Sequence, residues 1–563
     1  MTPANPRTLL SALSCCRALL LALPLSAGAA AEGAATWPSA AASDPRTLGW
    51  MEGFPPPPEK QIGQPDSNYF SFPKLRWTVC HLRELLPTEQ VSRGLGAPVP
   101  LSYDLDETAI DALTFTPLDG RDEMTGKDSL AANYTDGILI LHQGKIVYER
   151  YFGCLDEAGK HGAMSMTKSI TGLLAEILVA EGKLDDAALV ATLIPELTGS
   201  AFGNATVRQV MDMTTGLAYS EDYSDPNADI WKYSAAASPL PKPSGYDGPD
   251  GYFEYLQTVQ PEGTHGETFH YKTINTDTLG WVISRVSGQE VTELLSEKIW
   301  SRMGAEQDGY MTVDGKGTPF AGGGLSAGLR DLGRIGQLML NEGEINGQRL
   351  FPSQVIANIR AGGSKEAFAK AGYKALEGGS YRGMWWVFHN KHGAYAARGV
   401  HGQTIYVDPT ADMVIVRLAS FPTAKNAKID PTSLPAYQAV AEYLMNGEQP
   451  ETLAGQWRVE SIRGAKDFDK SVTEVAFLDG GRVAMTVGCN RLMTQADVSG
   501  RALSFGQTIA TKMACEPTLA AAEDQFIANL EATRSFEMLD ERSVLVFVSA
   551  EGESLISLSK MAD

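Results

Sequence analysis

The sequence predicts an α/β (α+β) protein: an antiparallel sheet flanked by helices with an inserted helical lobe, then a small β-rich C-terminal domain. Three observations predict it. Strand-like segments gather at the two ends of residues 132–446, around a helix-rich middle, so terminal strands would pair into one sheet. Residues 447–453 are polar and carry Pro450, which reads as a linker. Residues 454–561 alternate apolar and polar side chains around one helical segment, Ala520–Leu530, as half-buried strands do.

Taken in order, residues 1–31 read as a secretory signal: Arg7 and Arg17, an apolar core at Ala18–Leu25, then small residues ending at Ala31. That core is shorter than the roughly 20 apolar residues of a spanning helix, and no later run reaches that length, so no membrane anchor is expected. Cys15 and Cys16 precede the core, the wrong side for a lipidated cysteine. The expected location is the periplasm or the medium. Residues 45–131 form an N-terminal arm and extension, whose Gly53-Phe54-Pro55-Pro56-Pro57-Pro58 lacks the N–H groups a helix or ladder needs. Gly137–His142 and Lys145–Phe152 then read as a hairpin turning at Gln143-Gly144. Ile170, Leu173, Leu174, Ile177 and Leu178 fall at helical spacing up to Gly182. Leu279–Ile283 marks another apolar helix. Gly383–Phe388, Thr404–Val407 and Met413–Leu418 are the late strands, and Ala436–Met445 is a closing helix.

The formal charge of −21 becomes −23 once Arg7 and Arg17 are removed. Such a balance repels phosphate backbones, so nucleic acid is not an expected partner. The eight histidines contain no HExxH pattern, and His389-x-x-His392 reads as a loop pair, so neither metal nor cofactor is expected. Of six cysteines four follow the signal. Cys489 and Cys515 share the small C-terminal domain and are the expected disulfide; Cys80 with Cys154 is a second candidate pair.

The chemistry centres on Ser165-Met166-Thr167-Lys168, between the hairpin and the apolar helix. A serine hydroxyl is a weak nucleophile at neutral pH and needs a neighbouring base. Spacing i, i+3 puts both side chains on one helical face. Burial pushes a lysine toward its neutral form, and a helix N-terminus favours a developing oxyanion. The same tetrapeptide pattern at Ser71–Lys74 contains a proline, and at Ser557–Lys560 it lies in a strand-like stretch. Tyr271, at the step into the helix of Leu279–Ile283, can share the proton of Ser165; beside an ammonium its phenol pKa is expected to fall. Arg398-Gly399-Val400-His401-Gly402-Gln403 offers glycines that let a backbone N–H approach a reacting carbonyl. The acidic loop Glu221-Asp222-Tyr223-Ser224-Asp225 could meet a substrate's ammonium group or stay solvated.

Ser165-x-x-Lys168, Tyr271 and the glycine-containing late strand together resemble the serine β-lactamase and penicillin-binding-protein superfamily. Within it, the chain resembles the class C-like branch with its family VIII carboxylesterases and 6-aminohexanoate-dimer (nylon-oligomer) hydrolases. The likeness to the last group rests on Gly53–Pro58 with Arg76-Trp77, Thr214–Tyr223, Tyr271–Val282 and Gly399–Gln403. It implies Ser165 as nucleophile, Lys168 as activator, Tyr271 as proton shuttle and the N–H groups of Ser165 and Val400 as oxyanion hole. Glu221, Asp222, Tyr223, Asp225, Asn275, His401 and Gln403 are the expected substrate contacts. The reaction implied is hydrolysis of a small-molecule amide or ester through an acyl-enzyme. The tail resembles the META (HslJ-like) family through Gly455–Val459, Gly488–Arg491, Leu503–Phe505 and Thr511–Cys515.

Two departures from the superfamily pattern stand out. Ala397-Arg398-Gly399 stands in place of Lys-Thr-Gly, and Thr273 stands where Tyr-x-Asn has its asparagine. Both disfavour a β-lactamase or D-amino-acid peptidase over an esterase or amidase. A decayed penicillin-binding scaffold that only binds ligand is the reading of another class. Gly324-Leu325-Ser326-Ala327-Gly328 also matches a nucleophile elbow, but a loop precedes it where a buried strand is required.

Overall fold

The computed structural model describes residues 37–561 apart from 64–67, 240–241, 243, 447–452, 454, 467, 479–480, 500–501, 540–542 and 551. The expected signal and, except for Leu453, the expected linker lie outside the described residues.

Seven strands form one antiparallel sheet: β1 (Thr135–His142), β2 (Lys145–Tyr151), β3 (Ser380–Arg382), β4 (Trp385–Val387), β5 (Tyr395–Gly399), β6 (Gln403–Asp408) and β7 (Met413–Ala419). Their order is β3-β4-β5-β6-β7-β1-β2, with β7 joined to β1 through Ile415↔Ile140 and its neighbours. The late strands therefore close on the early hairpin, as the sequence predicts.

Period-two alternation decides which face each side chain serves. Leu139, Leu141, Ile405, Val407, Val414 and Val416 point into the larger core, shared with helices α1 (Met166–Ala180), α2 (Ile274–Ser287) and α3 (Leu329–Leu340). Ile138, Ile140, Tyr406, Met413 and Ile415 point the other way, onto Tyr437, Val440 and Ala441 of α4 (Asp430–Asn446). Covering both faces explains why these strands read as nearly continuous apolar runs. Burial of each such side chain contributes about 1.5–3 kcal/mol.

Two elements differ from expectation. Gly383–Phe388 is a turn and a strand: Gly383 and Met384 take φ of 55° and 67° and reverse the chain between β3 and β4. The helical lobe pins this turn, since Gly383 N–H donates to Asp212 Oδ1 (2.9 Å) and Met384 N–H to Met211 O (3.0 Å). Helix α4 begins six residues before Ala436 and runs through Pro435. The helical bond that a proline cannot make would end on Pro431 O, and Leu118 N–H of the extension takes that acceptor at 2.9 Å.

A four-stranded sheet brings the arm to the head of α1, in the order Thr88–Val91, Gly309–Thr312, Leu325–Ala327, His161–Gly162. The disulfide Cys80–Cys154 ties the same regions together. Ser326 is fully buried within that sheet, opposite Gly162 and Tyr310, so it has no elbow geometry. Beyond Leu453, nine antiparallel strands close into a near-barrel through the pairing of Arg482–Val487 with Asn490–Ser499, around Trp457, Phe547 and Phe526 of α5 (Pro517–Ala532). Cys489 and Cys515 are bonded there.

Candidate active site

Ser165 sits one residue before α1, with only 8% of its surface exposed. The loop leading to it is gripped from two sides: Gly162 N–H donates to Val79 O (2.7 Å) and Ala163 N–H to Leu325 O (2.8 Å). Met164 is held at φ 47°, a left-handed conformation costly for a side chain of its size. Thr167 Oγ1 secures that turn by donating to Met164 O (2.6 Å) while accepting from Leu325 N–H (3.2 Å).

The i, i+3 relation delivers Lys168 Nζ to 2.9 Å from Ser165 Oγ and 2.5 Å from Gly322 O. Burial pushes the Lys168 ammonium down to about 8, against the upward pull of the Glu221 and Asp277 carboxylates.

Tyr271 completes the cluster. Its ring stacks on Trp386 (centroids 5.6 Å), and Lys168 Nζ lies 5.2 Å from its centroid. The expected fall of its phenol pKa is corrected: burial pushes it well up, only partly offset by a hydrogen bond with Ser165 and the nearby Arg398 charge. Tyr271 therefore keeps its proton near neutrality.

The end of β5 passes close behind Ser165. A Cβ on Gly399 would fall 3.0 Å from Ser165 N and 2.8 Å from Ala163 O, so only glycine fits. Arg398, just before it, lies over Trp386 (5.4 Å) and pairs with Asp430.

Several expected substrate contacts have other work. Gln403 is fully buried; its Nε2 donates to Val400 O (3.1 Å) and Ala419 O (2.6 Å), and its Oε1 accepts from Ala419 N–H (2.9 Å). It fastens the turn carrying Val400. His401 is buried at φ 64°, with Nδ1 2.7 Å from Phe421 O. Burial pushes its pKa down to about 4, so the ring is neutral and Nδ1–H donates. Asn275 is wholly buried, accepting from Thr215 Oγ1 (2.7 Å) and donating to Lys272 O (3.2 Å); it locks the start of α2 and has no exposed surface to offer a substrate.

The acidic loop divides. Glu221 faces the site but accepts from Thr273 N–H and Oγ1 (2.6 Å each) and from Tyr223 Oη (3.0 Å). Tyr223 packs edge-on against Trp231. Asp222 and Asp225 are exposed turn residues: Asp222 accepts from Ser224 and lies 3.7 Å from Lys425, and Asp225 accepts from Asn227 N–H. His389 and His392 face different partners, Ser380 Oγ and Asp408.

Sequence reasoning missed Trp386 and Tyr373, whose rings meet at 5.3 Å beside Tyr271, and it missed Asp277. A carboxylate two positions before the apolar stretch Leu279–Ile283 was the available signal for Asp277, since an unpaired charge on a buried helical face is expensive.

The beta-lactamase family profile matches residues 129–436, and the META domain profile matches 451–562. A 6-aminohexanoate-dimer hydrolase of Paenarthrobacter ureafaciens is 34% identical over 389 residues, covering 69% of this chain and 91% of that protein. A Bacillus anthracis structure provisionally given the same name is 32% identical, with a TM-score of 0.62 over 67% of this chain and 96% of its own. A buried serine and lysine in contact at the head of α1, within a family match spanning more than half of the chain, place this chain in the beta-lactamase family, with a META domain at its C-terminus.

Proposed function

We propose that the chain is an exported serine hydrolase that cleaves amide or ester bonds of small molecules through an acyl-enzyme on Ser165, in the manner of the 6-aminohexanoate-dimer hydrolases it is similar to. One observation carries the reading: Lys168 Nζ lies 2.9 Å from Ser165 Oγ in a buried pocket that favours the neutral amine.

The chemistry follows from these positions. Neutral Lys168 takes the Ser165 proton as Oγ attacks the substrate carbonyl carbon. The N–H groups of Ser165 and Val400 stabilise the oxyanion, with Gln403 holding the Val400 turn. Tyr271, kept protonated by burial, gives its proton to the departing amine or alkoxide and regains one from the Lys168 ammonium. Water then attacks the acyl carbonyl, Lys168 taking its proton, and the bond to Ser165 Oγ breaks as Lys168 returns that proton to the serine and the acid product leaves. Trp386 and Tyr373 supply an apolar wall suited to an aliphatic chain. The tie between Arg398 and Asp430 supports an esterase or amidase over a β-lactamase, since that cation is already partnered.

Turnover of short p-nitrophenyl esters, linear aminoalkanoate amides and a cephalosporin by the wild type and Ser165→Ala tests the reading. Ser165-dependent cleavage of the first two is expected. Failure of a fluorophosphonate probe to label the purified protein would favour the binding-only alternative.

A further inference from the structure

We infer that Asp277 is a positioning residue for this reaction: it holds the Gly322 carbonyl on Lys168 and supplies the negative charge that governs when the amine gives up its proton. The inference rests on the proposed role of Lys168 as the base.

The geometry is a buried relay. Gly322 N–H donates to Asp277 Oδ1 (3.0 Å), and the carbonyl of the same residue accepts from Lys168 Nζ (2.5 Å). Tyr233 Oη donates to Asp277 Oδ2 (2.5 Å). Asp277, Tyr233 and Lys168 are each at most 2% exposed. Asp277 anchors Gly322 by its N–H and so fixes where the carbonyl of the same residue meets Lys168; the two groups belong to successive peptide units, so the link is positional. Among the described residues no lysine or arginine forms an ion pair with Asp277. A carboxylate left in a core on two hydrogen bonds is costly to keep, and its nearest cationic influence is Lys168.

The surrounding charges are few. Lys168 is faced by Glu221 from the acidic loop, Asp277 from α2, the ring of Tyr271 and the hydroxyl of Ser165. Asp277 is faced by Tyr233, Gly322 N–H, Lys168 and Glu221, and its field also reaches Tyr219 and Tyr252. Glu221 is clamped by Thr273 and Tyr223, whereas Asp277 acts through the backbone of one residue, Gly322. Burial pushes the Asp277 carboxyl up to about 7, into the range where its charge and that of Lys168 respond to one another.

The test is the pH profile of kcat/KM for p-nitrophenyl butyrate, which reports the free enzyme's essential base. Asp277→Asn keeps an acceptor for Gly322 N–H and removes the charge. An ammonium deprived of a nearby anion loses its proton more easily, so the acid limb should move to lower pH by about one unit. Tyr233→Phe leaves the carboxylate but removes its donor, so Asp277 takes up its proton more readily and the limb should move the same way by less. A purely structural role would lower turnover equally at every pH. A limb that stays at the wild-type position in the soluble variants overturns the inference. Turnover surviving Ser165→Ala would instead overturn the hydrolase reading beneath it.

Discussion

Lys168 reaches Gly322, 154 positions along the chain, with a 2.5 Å hydrogen bond that leaves Ser165 Oγ 2.9 Å away on the other side of the amine. A neutral amine has two N–H bonds and one lone pair. Committing one N–H to a carbonyl leaves the lone pair able to face the serine hydroxyl, which is the orientation a base needs.

Replacing Ser165 or Lys168 with alanine should lower ester turnover by about 10³-fold or more, because nucleophile and base act as a unit. Ser326→Ala, at a position fully buried in the smaller sheet, should leave turnover near wild type. Initial rates with p-nitrophenyl butyrate and active-site labelling measure both.

The acid limb of kcat/KM should lie near pH 8. Lys168 is protonated and idle below its pKa of about 8 and active above it, so the rate rises with pH through that value. Tyr271 must stay protonated, and burial raises it above its ordinary value of 10.0, so no falling limb should appear below about pH 10. A profile from pH 6 to 10 decides both points.

Gly399→Ala should cost about 100-fold in kcat/KM while the fold survives, because its methyl would press on Ser165 N at 3.0 Å and disturb the oxyanion geometry. Steady-state kinetics alongside circular dichroism separates this from unfolding.

Gln403→Met keeps the volume and strands the backbone groups of Val400 and Ala419 that Gln403 now satisfies. The expected loss is about 1–3 kcal/mol of stability with a lower kcat and a nearly unchanged KM, read by denaturant titration and kinetics.

Replacing Cys80 and Cys154 together with serine opens a 74-residue loop, for a loss of about 4 kcal/mol. The arm's Val79 O is then less firmly held on Gly162 N–H, so the melting temperature and kcat should fall together. Differential scanning calorimetry measures the first.

Where chemistry depends on neighbours along one element, the sequence was sufficient. The i, i+3 spacing of Ser165 and Lys168 fixes their common face, and the alternation of β1, β6 and β7 fixes a sheet covered on both sides. The strands of the C-terminal domain were legible for the same reason. Packing decided the rest. Asn275 and Gln403 look alike in the sequence as free amides beside a site, yet burial turns both into fasteners. The direction of the Tyr271 shift depended on whether desolvation or a cation dominates, and only the closed pocket sets that balance. Asp277, Gly322 and Lys168 come from three separate stretches of chain. Local pattern fixes which face a side chain shares, but contact between distant segments is chosen by the whole core, and those contacts turn a serine and a lysine into a candidate catalyst.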